Sequence, residues 1–283
     1  MCVFGVYTNL GKDPDLKITK HVIQVLEKRG VEYYLEKSLA QAMGLDKAAE
    51  DSAFDVLLVL GGDGTMLGAA RRYAPHGTLI FGLNLGRVGF LLDTEISSLE
   101  AAVDGILEGN YQVEERLMLS ASVMGADGVT QKAHAYALNE AVVSQKRILR
   151  LIHVDVRVNG LPVDKYYCDG IIVCSPTGST GYSLSAGGPI VMPSLDVMVI
   201  NPVCPHTLKS SKMVISGEDV VTVLPKHDAK YSTLTLDGQN SFDMEPGDFV
   251  KIQRAPFRAR FLRFTNKGFF SLLNEKLAEW TSN

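Results

Sequence analysis

No apolar run in the 283-residue chain reaches the ~18 residues that a membrane-crossing helix needs, so an integral helical membrane protein and a membrane partner are not expected. The start, Met1-Cys-Val-Phe-Gly-Val-Tyr, lacks the basic stretch and cleavage site of a secretion signal and reads as a first strand. Cysteine is scarce. Cys2, Cys168, Cys174 and Cys204 form no Cys-x-x-Cys pair and the six histidines show no zinc-ligand spacing, so no protein-held metal is expected. Reduced thiols and a cytoplasmic location follow. Charge of one sign is not concentrated either: 28 Lys plus Arg stand against 32 Asp plus Glu, net −4, without the basic stripe of a nucleic-acid binder. The short basic stretches 147–150 and 258–263 are interrupted by apolar residues and read as strands with one solvated face.

Low-complexity tracts, internal repeats and long Pro- or Gly-rich linkers are absent too. With 46% apolar and 21% charged residues the chain folds, and its length suggests two domains at roughly 150 residues each. The first 115 residues alternate apolar runs with helical spacing. Cys2 to Tyr7, Val31 to Glu36, Val56 to Leu60 and Thr78 to Leu83 read as strands, with helices at Ile18 to Arg29 and Met66 to Tyr73. The unbroken run at Val56 is that of a strand buried on both faces, which points to a parallel, Rossmann-like α/β layer. Residues 116–255 change to short alternating strands, among them His153 to Val158, Val220 to Leu224, Ser232 to Leu236 and Phe249 to Gln253. Turn signals at Asn159-Gly160, Asp237-Gly238 and Pro246-Gly247 separate them, as in a β-rich sandwich. In the tail, 256–283, the helical stripe Phe269, Leu273, Leu277 and Trp280 needs burial and is expected to return to the first domain.

Three motifs carry chemistry. Gly61-Gly62-Asp63-Gly64-Thr65 follows the buried strand and opens a helix, where bare N–H groups and the positive helix end receive phosphates. It matches neither Gly-x-Gly-x-x-Gly, since Leu67 stands where the third glycine belongs, nor the Walker spacing. A carboxylate in such a turn either holds a metal or takes the proton of an attacking hydroxyl; the plainer use of Asp63 is to cap the helix. The run from Asp169 to Pro189 is so rich in Gly, Ser and Thr that core packing does not explain it, and it reads as a long ligand-binding loop. In Leu138-Asn139-Glu140-Ala141-Val142-Val143 two polar residues interrupt a strand: Asn offers donor and acceptor to an adenine edge, and Glu accepts from ribose hydroxyls.

In this order, with Gly82-Leu-Asn-Leu-Gly-Arg-Val-Gly-Phe-Leu and Asp237-Gly238-Gln239, these residues resemble the bacterial NAD kinase family over nearly the whole chain. The resemblance implies ATP-dependent phosphorylation of the 2'-hydroxyl on the adenosine ribose of NAD, with magnesium arriving on the nucleotide. It also implies a homodimer or homotetramer built through the β-rich domain. Carried over, Asp63 is the proton acceptor beside Gly64, with Gly61, Gly62, Gly64 and Thr65 on the phosphates. Asn139 and Glu140 hold adenine and ribose groups, while Asp169, Thr180, Gly181, Tyr182, Ser183, Leu184 and Ser185 line the dinucleotide site. Arg150, Tyr167 and Gln239 are looser matches to NAD contacts. Two departures stand out: Gly181 where relatives often have Ala, and Lys212-Met213 where they commonly have Arg-Pro. A lipid or diacylglycerol-type kinase shares the glycine motif, and a non-catalytic NAD sensor shares the binding residues; both remain alternatives.

Overall fold

The computed structural model describes residues 2–86, 89–92, 94–146, 151–206, 211–226, 231–264 and 268–281. The chain divides into two compact units, Met1–Glu115 with Arg258–Asn283, and Arg116–Phe257.

The first unit is built on parallel pairing. In chain order it has β1 (Phe4–Thr8), α1 (Lys17–Lys28), β2 (Tyr33–Leu35), α2 (Lys37–Met43), β3 (Val56–Gly61) and α3 (Asp63–Tyr73). Next come β4 (Leu79–Asn84), the short β5 (Thr94–Glu95) and α4 (Leu99–Glu108). The strands lie in the order β2, β1, β3, β4, each pair parallel. Every residue of β3 is buried, as its unbroken apolar run requires. The sheet is flanked by helices that bury one face each: Val22, Ile23, Val25 and Leu26 of α1, and Leu99, Ala102, Val103 and Ile106 of α4. One core joins them to Phe4, Val6, Leu58, Leu60 and Phe81 of the strands.

The second unit is antiparallel. It contains β6 (Gln112–Met124, from Arg116 on), β7 (Gln131–Ala137), β8 (Glu140–Gln145), β9 (Ile152–Val158), β10 (Leu161–Cys168) and β11 (Gly170–Cys174). After a four-residue α5 (Tyr182–Ser185) follow β12 (Val197–Val203), β13 (Met213–Ser216), β14 (Val221–Pro225), β15 (Ser232–Leu236), β16 (Asn240–Asp243) and β17 (Phe249–Arg263). One sheet runs β13, β12, β11, β8, β15, β16, and β10, β9, β14 and the first half of β17 form a second layer. Alternate residues of both layers, such as Ala141, Val143, Ile171, Val173 and Leu234 on one side and Val154, Val156, Val221 and Ile252 on the other, share one core. This is the expected sandwich.

The strand expected at Phe249 to Gln253 continues ten residues further, to Arg263. The basic stretch 258–263 is therefore strand, with Ala259, Phe261 and Leu262 buried between half-exposed arginines. In the first unit Arg260 and Phe261 pair in parallel with Leu79 and Ile80 of β4. The closing α6 (Phe269–Thr281) belongs to this unit and buries Leu273. The side chains of Leu277 and Trp280, expected on the same stripe, lie outside the described residues, as do 147–150 of the other basic stretch.

Candidate functional site

In the first unit the strand order reverses between β1 and β3: the chain moves from β1 outward to β2, then from β3 outward to β4. The crevice beyond the carboxyl ends of two such strands is where open α/β sheets take their ligands. The Gly61-Gly62-Asp63-Gly64-Thr65 turn lies there. Gly62 is the N-cap of α3, and Thr65 Oγ1 accepts from the Gly62 N–H at 3.3 Å and from Asn9 Nδ2 at 3.1 Å. The Asn9 N–H donates to Leu60 O at 2.9 Å, so the loop after β1 is tied to the end of β3. A Cβ at Gly61 would fall 2.3 Å from Thr65 Oγ1, which leaves glycine as the residue that fits.

Asp63 is the first residue of α3 but does not cap it, contrary to the plainer expectation. Its carboxylate turns to the loop after β4, where Oδ2 accepts the Phe90 N–H at 2.8 Å and Oδ1 the Leu91 N–H at 3.2 Å. Gly89 passes so close that a Cβ there would come within 2.0 Å of Asp63 Oδ1. The carboxylate is thus fixed by backbone 27 residues away, a geometry suited to a base whose aim matters. Sequence reasoning missed Lys12. Its ammonium reaches over the turn, with Nζ 2.5 Å from where a Gly62 Cβ would stand. A lysine in the loop that leaves the first of two neighbouring strands was the available signal.

The second unit gathers Asn139, Glu140, Gly181, Tyr182 and Asp169. Asn139 precedes β8 and Glu140 opens it. The Asn139 backbone oxygen accepts the Ser175 N–H at 2.9 Å, and a Cβ at Gly178 would be 2.2 Å from that oxygen. The polar ends of the pair are a different matter. Asn139 Oδ1 and Glu140 Oε2 are buried with no hydrogen-bond partner among the described residues. An orphaned buried acceptor is costly, and donors from a ligand would relieve it. Burial, then the nearby charge of Asp237, pushes the Glu140 carboxyl up to about 8. Gly181 has room for a methyl group, which would sit 3.6 Å from both Asn139 Nδ2 and Glu140 Oε2; an Ala there would fit equally well. Tyr182 is 46% exposed, an open aromatic face, and burial together with Cys204, Asp169 and Glu140 raises its phenol.

The Ser/Thr/Gly run is not the expected loop. Thr177–Thr180 forms a 3-10 turn that leads into α5, and its hydroxyls are largely spent inside the protein. Ser175 Oγ donates to Leu138 O at 2.5 Å, Ser179 Oγ donates to Pro176 O at 2.7 Å, and Thr180 Oγ1 donates to Thr177 O at 3.3 Å. Ser183 is fully buried, its Oγ accepting from Asn201 Nδ2 at 3.2 Å. Leu184 is half-buried; Ser185, Asp169 and Gln239 are exposed. Tyr167 packs its ring edge-on against His153 at 4.2 Å and His206 at 5.9 Å. Arg150 lies outside the described residues. Cys168 and Cys174 are buried, and burial pushes each thiol up to about 12, as inert core cysteines should be. Cys204, by contrast, is exposed. Among the described residues no helix is long and apolar enough to cross a membrane.

Models of the ATP-NAD kinase N-terminal domain and C-terminal domain match residues 4–111 and 138–264. An NAD kinase of Natranaerobius thermophilus is 38% identical over 279 residues, covering 96% of each chain. The structure of an NAD kinase from Archaeoglobus fulgidus in complex with ATP superposes with a TM-score of 0.76 at 30% identity, over 98% of this chain and 99% of that one. Yeast NADH kinase complexed with NADH shares the fold, with a TM-score of 0.89 at 19% identity over 98% of this chain and 88% of its own. Neither the lipid-kinase nor the sensor alternative finds support among these proteins. By sequence over nearly its full length and by fold, this chain belongs to the ATP-NAD kinase family.

Proposed function

We propose that in the ATP-dependent phosphorylation of NAD, the reaction of this family, Asp63 is the general base and the Asn139–Glu140 pair holds the dinucleotide. The observation that carries this reading is the Asp63 carboxylate, set in a glycine turn at the sheet's switch point and aimed by the Phe90 and Leu91 N–H groups. A ribose hydroxyl is a weak nucleophile. As its 2'-oxygen forms a bond to the γ-phosphorus of ATP, its proton passes to the Asp63 carboxylate and the bond from γ-phosphorus to the bridging oxygen breaks, releasing ADP. The positive end of α3, which opens at the glycine turn, and the Lys12 ammonium offset the charge of the phosphoryl oxygens.

Among the described residues no three His, Cys, Asp or Glu side chains form a metal cage. Asp63 alone supplies a carboxylate at the turn, and two N–H groups already share it. Such a donor set fits a divalent ion that enters on the ATP phosphates, with magnesium the first choice; bound there, it neutralises phosphate charge. On the dinucleotide, Asn139 takes the adenine edge, Glu140 accepts from ribose hydroxyls, and the open face of Tyr182 stacks on a ring. Asp169, Thr180, Gly181, Ser183, Leu184, Ser185, Tyr167 and Gln239 surround it in this reading, Ser183 through Asn201 rather than by direct contact. A cytoplasmic homodimer or homotetramer, assembled through the β-rich unit, completes the proposal.

Purified protein supplied with NAD, ATP and magnesium is expected to yield NADP, detected by an NADP-specific dehydrogenase. Asp63→Asn is expected to bind NAD and lose turnover. A variant with near-normal turnover would refute the base assignment, and NAD binding without any NADP would revive the sensor.

A further inference from the structure

Leu138, Asn139 and Glu140 lead from β7 into β8, and their three consecutive N–H groups all end on one side chain. Asp237 Oδ2 accepts from Leu138 at 3.1 Å, and Oδ1 accepts from Asn139 at 2.8 Å and from Glu140 at 3.2 Å. The clamp is reciprocal, because the Asp237 N–H donates to Glu140 O at 3.0 Å. Asp237 is 6% exposed and adopts φ 50, with φ 65 at Gly238, so the Asp-Gly turn between β15 and β16 is left-handed at both residues. This conformation aims the carboxylate back across the ladder at the start of β8. Three donors need an acceptor with several lone pairs in a fork, which a carboxylate has and a hydroxyl lacks.

We propose that Asp237 is a positioning residue for dinucleotide binding: by fixing the backbone from Leu138 to Glu140 it holds the Asn139 amide and the Glu140 carboxyl in register for the ligand. The proposal rests on the reading that Asn139 and Glu140 contact NAD. A loose backbone would let the two orphaned acceptors turn toward other partners, and preorganised acceptors lose less on binding.

After burial, the Asp237 charge also helps to keep the Glu140 carboxyl protonated. The other titratable groups facing that carboxyl are the Cys174 thiol on β11 and the Tyr182 phenol on α5, both neutral near pH 7. Ribose hydroxyls donate best to the ionised carboxylate, so NAD affinity should rise with pH and level off above about 8. Removing the Asp237 charge therefore has two separable results. The midpoint of that rise moves to lower pH, and at high pH, where Glu140 is ionised in either protein, the loss of the clamp stands alone.

The experiment is steady-state kinetics of the full chain with NAD, ATP and magnesium between about pH 6.5 and 9.5, with melting curves for each variant. Asp237→Asn suits the left-handed backbone and retains Oδ1, but turns an NH2 group toward the Leu138 N–H. It is expected to raise the KM for NAD roughly tenfold at about pH 9, with kcat and the KM for ATP within about twofold. Its midpoint should fall by about half a pH unit or more, and Asp237→Asn combined with Glu140→Gln should show no midpoint. A folded Asp237→Asn protein with unchanged KM for NAD and unchanged midpoint overturns the proposal, whatever its melting temperature. Should Asp237→Asn fail to fold, Asp237→Ser and Asp237→Glu are measured in the same way: a folded variant with unchanged KM for NAD at about pH 9 overturns the proposal, and a KM raised severalfold with kcat kept sustains it. If Asn139→Ala and Glu140→Gln leave the KM for NAD untouched, the underlying reading of the pair is what fails. If those two raise it and Asp237→Asn does not, the positioning role alone falls.

Discussion

The two polar centres of this protein are built by opposite means. The glycine turn of the first unit is a backbone device whose one carboxylate is already met by two N–H groups, while the Asn139–Glu140 centre of the second unit buries acceptors that nothing among the described residues meets. A carboxylate whose lone pairs are held by backbone donors keeps a fixed aim and its charge. Unmet acceptors select a ligand that brings donors, such as an adenine amino group or ribose hydroxyls. The two centres thus differ in whether the protein itself or something from outside meets the acceptor.

That contrast can be broken by substitution. The largest effect is expected at Asp63: Asp63→Asn should lower kcat about a thousandfold with NAD binding preserved, measured by NADP formation and calorimetry. Next comes Gly178→Ala. Its Cβ would lie 2.2 Å from Asn139 O, backbone that cannot swing aside, so a stability loss of about 3 kcal/mol is expected by denaturant titration, together with weaker NAD binding. Glu140→Gln sharpens the comparison with pH. The folded Glu140 carboxyl keeps its proton up to about 8 against an ordinary 4.5, so in that window the folded state holds more protons than the unfolded one. Stability contributed by Glu140 therefore falls as pH rises through the window. At about pH 8.5 the Gln variant should be more stable than wild type by about 2 kcal/mol, with little difference near pH 4, as melting temperatures would show. The smallest effect is expected for Lys12→Gln, an exposed ammonium over the turn: a rise of about fivefold in the KM for ATP with the KM for NAD unmoved.

Much of this was legible in the residues. The apolar run at Val56 could only be a buried parallel strand, and Asn159-Gly160 and Asp237-Gly238 both take the left-handed pair of angles that their hairpins demand. Asn139 and Glu140 declared themselves as polar residues where an apolar strand should begin. Other features depend on contacts that no local pattern encodes. Asp63 meets its donors 27 residues away, and Asp237 is separated from Asn139 by 98, so neither partner could be inferred from spacing. The Ser/Thr/Gly run misled in a particular way. Its small hydroxyls looked free for a ligand, yet Ser175, Ser179 and Ser183 serve the turn and the strand beside it. Composition reports that hydroxyls are present, and only packing decides which of them remain unspent.

The split of the first unit between Met1–Glu115 and Arg258–Asn283 bears on how the protein comes into being. The portion of β4 at Leu79 and Ile80 pairs with Arg260 and Phe261, residues made far later in synthesis, as the 183-residue gap between Gly77 and its partner Arg260 illustrates. During vectorial synthesis that stretch of strand must wait with an open edge while the whole of Arg116–Phe257 is produced and can close upon itself. The unit begun first is completed last, and the interval leaves an unpaired apolar edge that a growing chain must shield from its neighbours.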